Sequence, residues 1–65
     1  MIKKIINTLL IEFNRQIEVK NTNNAKYIRD AVEKTKNKVI LNKLWVSNID
    51  KLLYKMTREL NENIN

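Results

Sequence analysis

From the second residue onward, large apolar side chains recur at three- and four-residue intervals. At ~100° per position, Ile2, Ile5, Ile6, Leu9, Leu10, Phe13 and Ile17 fall on one face. Lys3, Lys4, Asn7, Asn14, Arg15 and Glu18 lie outside it, and Ile11 is the one large apolar residue on the polar side. The spacing predicts a helix over residues 2–19 with the broad apolar face of a bundle member. Lys20-Asn21-Thr22-Asn23-Asn24 then interrupts the pattern with turn and capping residues. Thr22, Asn23 or Asn24 is expected to cap a second helix, over 24–36, by accepting a hydrogen bond from an early backbone N–H. Its inner face reads Ile28, Ala31, Val32 and Thr35. Asp30 and Lys34 are spaced for an outer i,i+4 ion pair, and Lys36-Asn37-Lys38 is expected to end the helix.

The stretch Val39-Ile40-Leu41 fits either a short β-strand or the first turn of a long final helix over 39–62. Helix is the preferred reading, because Leu41, Leu44, Trp45, Val46 and Ile49 continue the three- and four-residue spacing. Ser47-x-x-Asp50 has the form of a capping-box variant, which places an expected break near residues 46–47. From Trp45 the apolar face runs cleanly through Ile49, Leu52, Leu53, Met56 and Leu60. The tail, 61–65, is expected to be polar and frayed. No repeat or linker divides the chain, so one helical domain over 1–65 is expected.

Composition sharpens the fold class. The chain has no Gly and no Pro, the residues that supply left-handed backbone and preset turns, and a hairpin-rich β fold is hard to build without them. Helices can use Asn at their ends instead, and Asn occurs throughout. The sequence therefore predicts an all-α protein, either a small three-helix bundle or a bent helical hairpin. A 65-residue chain buries only ~60 % of the surface its unfolded form exposes. Without Cys or His it gains no disulfide and no thiolate or imidazole metal site. Self-association as a homo-oligomer is the expected remedy, with Ile11, Trp45 and Tyr54 at the seam between copies.

The charge balance, 13 basic against 7 acidic residues, favours an anionic partner. Lys26, Arg29, Lys34, Lys36, Lys38 and Lys43 fall within eighteen residues, opposed only by Asp30 and Glu33. This segment is the candidate nucleic-acid site, suited to phosphate contacts that give affinity without base reading. Against it, Lys34, Lys36 and Lys38 splay around a helix axis. Ten of the thirteen basic residues are Lys, whereas Arg is the better reader of phosphates and bases. An abundance of Ile, Lys and Asn, all encoded by A/T-rich codons, also inflates Lys irrespective of function. A helix-turn-helix does not fit around Ala25 or Ala31, and Tyr27 and Tyr54 read as core-edge aromatics more readily than as base-stacking platforms.

Catalysis has little to draw on. The commonest general base and the thiol nucleophile are missing, Ser47 has no visible base partner, and Asp30/Glu33 and Glu59/Glu62 read as solvated ion-pair formers. No catalytic residue, cofactor, metal or small-molecule substrate is expected. No apolar run approaches the ~20 residues of a bilayer span. Met1 to Ile6 opens like a signal peptide, but Asn7, Thr8, Glu12 and Asn14 interrupt it, and the chain is expected to be cytoplasmic. The first helix alone has the form of a membrane-surface peptide, yet packing against the two later helices accounts for its apolar face better. The leading expectation is a small nucleic-acid-binding regulator or accessory protein, of the kind carried by phages or plasmids. Its rival is a protein-binding inhibitor, immunity or adaptor module presenting a face around Trp45 and Tyr54, and a membrane-surface role is a minor third.

Overall fold

The computed structural model describes residues 2–63. Three helices follow one another: α1 (Ile2–Glu18), α2 (Thr22–Lys38) and α3 (Lys43–Asn63). They form a three-helix bundle with dimensions of 37 × 19 × 13 Å, so the bundle alternative of the sequence is realised and the bent hairpin is not. Ion and hydrogen-bond pairs fix the running directions. Lys36 meets Asp50 and Arg29 meets Thr57, which makes α2 and α3 antiparallel. Lys3, Ile6 and Asn7 share a groove with Leu44, Trp45 and Asn48, which makes α1 and α3 parallel.

The core collects Ile6 and Phe13 from α1, Ala25 and Val32 from α2, and Ile49, Leu53, Met56 and Leu60 from α3. Ile2, Leu9, Leu10, Ile17, Ile28, Val39, Trp45 and Leu52 pack around it, partly buried. The division of labour is physical. The middle helix packs against both neighbours and buries small residues (Ala25, Val32 and Thr35), which lets the flanking helices approach. The outer helices supply the bulk through Phe13, Ile49 and Met56. Thr35 is the buried polar residue, and its hydroxyl is satisfied by donating to the Ala31 carbonyl at 3.0 Å, as buried polar groups require.

Both connections depart from the sequence expectation. At the end of α1, Lys20 adopts a left-handed φ of 62°. The Asn21 N–H donates to the Gln16 carbonyl at 2.8 Å and the Lys20 N–H to that of Ile17 at 3.0 Å. This is a Schellman stop, which glycine usually serves; in a glycine-free chain a lysine occupies it. Asn21 is then free to cap α2, its side chain accepting from the Asn24 N–H at 3.2 Å. The cap thus lies one residue before the three candidates Thr22, Asn23 and Asn24, and α2 begins at Thr22.

The second connection corrects the reading of Val39-Ile40-Leu41. These residues form a turn, neither strand nor helix, with the Val39 N–H bonded to the Lys36 carbonyl and the Asn42 N–H to that of Val39. Asn42 accepts from the Trp45 N–H at 3.2 Å and so starts α3 at Lys43. A side-chain oxygen placed to take the N3 donor outweighs apolar spacing in choosing where a helix begins. With Asn42 as cap, Ser47 has no end to cap, and α3 continues through it with no break at 46–47. α2 ends at Lys38, within the Lys36-Asn37-Lys38 stretch expected to end it and two residues beyond the expected bound. Asp30 sits 3.4 Å from Arg29 rather than pairing with Lys34. At the far end α3 extends to Asn63, whose side chain donates to the Glu59 carbonyl at 2.8 Å; the remainder of the expected frayed tail, 64–65, lies outside the described residues.

Candidate functional site

The six residues of the expected nucleic-acid segment do not form one surface. Arg29 is turned toward α3, where its Nε donates to Thr57 Oγ1 at 2.8 Å and its Nη1 lies 2.9 Å from Glu33 and 3.4 Å from Asp30. Lys36 is held by Asp50 at 2.8 Å. Lys26 shares the outer face of α2 with Asp30 and Glu33, while Lys34 and Lys38 lie further round and Lys43 stands at the head of α3. A groove of about 450 Å³ between α2 and α3, lined by Thr22, Lys26, Arg29 and Thr57, offers no free guanidinium for the same reason.

Nor does the structure gather the expected partner seam. Ile11 and Tyr54 are exposed on the outward faces of α1 and α3, whereas Trp45 packs half-buried against the core.

What the fold does assemble is one end of the bundle. The up-down-up course brings the first part of α1, the last turns of α2, the 39–42 turn and the start of α3 together. Residues 2–11 and 34–49 carry Lys3, Lys4, Lys34, Lys36, Lys38 and Lys43 and no acidic residue. The other seven basic residues equal the seven acidic ones in number, so these stretches bring this end six positive charges, a net of five once Asp50, which binds Lys36, is counted with them. Asp50 stands at its inner boundary and takes up Lys36. Among the described residues, Lys3, Lys4, Lys34, Lys38 and Lys43 have no acidic partner within 4 Å. All three arginines, in contrast, are paired elsewhere: Arg15 with Glu12, Arg29 with Glu33, and Arg58 with Glu62.

No protein-family model, curated protein or solved structure matches the chain. The chemistry of the end is therefore what its side chains provide: flexible ammonium groups, each a point charge with three donors and no acceptor. Such groups neutralise phosphates without discriminating among the molecules that carry them. Lys3 and Lys4 escaped the sequence reading because they lie some thirty positions from Lys34 in the chain. The signal that finds them is the absence of acidic residues from both stretches, which acquires meaning only once the helices are placed side by side.

No described helix is long and apolar enough to cross a membrane.

Proposed function

We propose that this protein is a non-catalytic binding protein whose lysine-rich end engages phosphate groups on a larger polyanion. The observation that carries the reading is the segregation of charge: with Asp50 counted beside Lys36, five of the six net positive charges lie at one end and the remainder is nearly balanced. A concentrated cationic end raises the local concentration of polyanion and speeds encounter, an effect that salt screens. The nucleic-acid reading of the sequence is kept in its chemistry, phosphate neutralisation, and moved in its address. Lys26 and Arg29 leave the contact set, and Lys3 and Lys4 enter it. Catalysis finds no support in the residue inventory, which lacks His and Cys, and Ser47 stands exposed on the surface of α3.

The test compares two variants of identical net charge. One carries K3Q, K4Q, K38Q and K43Q; the other carries K20Q, K26Q, K51Q and K55Q. Binding to duplex DNA, an RNA hairpin and anionic lipid vesicles is titrated against salt. Each phosphate neutralised steepens the fall of log affinity with log salt by about one unit on duplex DNA. The first variant is expected to lose at least a hundredfold in affinity for whichever polyanion binds, and the second no more than a few-fold. Equal losses in the two variants would reduce the end to diffuse net charge and sink the reading. Failure of the unmodified protein to bind any of the three would turn attention to the protein-binding alternative.

A further inference from the structure

The lysine-rich end is also where the bundle leaves aliphatic side chains in water. Leu41 is 96 % exposed, Leu44 74 % and Ile40 59 %, and Ile5 on the adjoining turn of α1 is 47 % exposed. Behind them lie two shallow concavities. One, of about 420 Å³, is lined by Lys3, Ile6, Leu44 and Trp45; the other, of about 330 Å³, by Lys4, Ile5, Thr8 and Leu9. Each joins lysine to aliphatic carbon. The rest of the chain, with nearly balanced charge, exposes Val19 and the two amphipathic tyrosines Tyr27 and Tyr54.

We propose that this end docks on the surface of an anionic lipid bilayer. Ile40, Leu41 and Leu44 enter the boundary between headgroups and acyl chains, while Lys3, Lys4, Lys38 and Lys43 meet lipid phosphates around them. The inference rests on the polyanion reading and names the polyanion. Three observations select a bilayer. A nucleic-acid backbone rewards the lysines but gives nothing to a nearly bare leucine, whereas a lipid surface rewards both. The cations at this end are lysines, whose aliphatic stems lie along apolar surface while the ammonium stays among headgroups; the arginines suited to base reading all lie outside it. A second copy of this chain, finally, would oppose one acid-free lysine set to another. The partner that covers this apolar patch has to be anionic as well as greasy.

Attachment of this kind needs two signals, since a short apolar insertion or a basic patch alone gives only marginal, reversible binding. Trp45 is the only tryptophan and lines the 420 Å³ groove, so its fluorescence reports docking directly. The experiment is co-sedimentation with large vesicles of phosphatidylcholine, with and without about a third phosphatidylglycerol, alongside duplex DNA binding by anisotropy. Three proteins are compared: the unmodified chain, the variant with I40Q, L41Q and L44Q, and the K3Q, K4Q, K38Q, K43Q variant, with circular dichroism to show that each keeps its helices.

The expected result is binding to the phosphatidylglycerol vesicles with a blue shift of Trp45 and at least tenfold weaker binding to phosphatidylcholine alone. Each lysine removed should weaken partitioning about fivefold, and the three-residue aliphatic change at least tenfold. Vesicle binding that is unchanged by the aliphatic substitutions would mean adsorption by charge alone and would overturn the inference. Salt-sensitive DNA binding without vesicle binding would overturn it too while leaving the polyanion reading intact. Binding to neither would remove both.

Discussion

Arg29 shows how a residue prominent in sequence acquires a different meaning in the fold. Its charge suggests phosphate contact, but its guanidinium bridges α2 and α3 through Thr57 and holds Glu33 at 2.9 Å. Replacement by Gln is expected to lower stability by about 1.5–3 kcal/mol, the range for hydrogen bonds to a charged group, with little change in polyanion binding; urea denaturation and a vesicle or DNA titration separate the two effects. Lys20 offers the opposite sign. A non-glycine residue at φ 62° carries a steric penalty of roughly 1 kcal/mol, so Lys20→Gly is expected to raise stability by up to about that amount in the same assay. Phe13, almost wholly buried, is the residue the fold can least spare. Truncation to Ala typically removes about 3–5 kcal/mol, and a chain of this size has only roughly 3–10 kcal/mol to lose. Phe13→Ala should therefore populate the unfolded state measurably by circular dichroism in buffer alone.

At the scale of elements, caps decide the boundaries. Asn21 and Asn42 each accept from a backbone N–H three residues on, and each is expected to contribute about 1 kcal/mol against Ala. Asn42→Ala carries a further consequence. With the cap removed, Val39-Ile40-Leu41 loses the competitor that keeps it out of helix, so the 39–42 turn should loosen. Amide hydrogen exchange is expected to accelerate there and in the first turn of α3 well before the rest of the bundle. Exchange confined to a uniform global change would show that the turn is held by packing of Val39 and Trp45 instead. The sequence placed the three helices and their inner faces from periodicity alone, because 3.6-residue spacing is a local property. It misplaced the two helix starts for a local reason as well. Asn abounds in this chain, and choosing among adjacent Asn and Thr residues requires the actual path of the backbone.

The whole molecule is polarised. Its cationic end projects from a nearly neutral body along a bundle 37 Å long, and the exposed aliphatic residues Ile5, Ile40, Leu41 and Leu44 sit at that same end. Salt therefore acts in opposite directions on two kinds of association. Attachment to a polyanion should weaken as ionic strength rises. Pairing of two copies through this end should strengthen, because screening relieves lysine repulsion while apolar contact is retained. Sedimentation velocity across a salt series is the measurement. A homodimer that forms most readily at low salt would place the self-association expected from the sequence on some other face, with Ile11 and Tyr54 the exposed apolar candidates.

Periodicity and composition by themselves determined the all-α class, the three amphipathic segments, most of the core and the excess of positive charge. These follow from spacing along one helix or from simple counts, and neither requires knowledge of what lies next to what. Only the tertiary structure decided where the charge and the unburied apolar residues go. Two acid-free stretches, 2–11 and 34–49, come to the same end of the bundle because parallel packing of α1 and α3 sets their first turns side by side. Leu41 and Leu44 continue an apolar repeat in the sequence yet end in water, because Leu41 falls in the turn before the Asn42 cap and Leu44 falls on the side of α3 away from Ile49, Leu53 and Met56. Proximity of this kind is a property of the packed bundle, and no helical period encodes it.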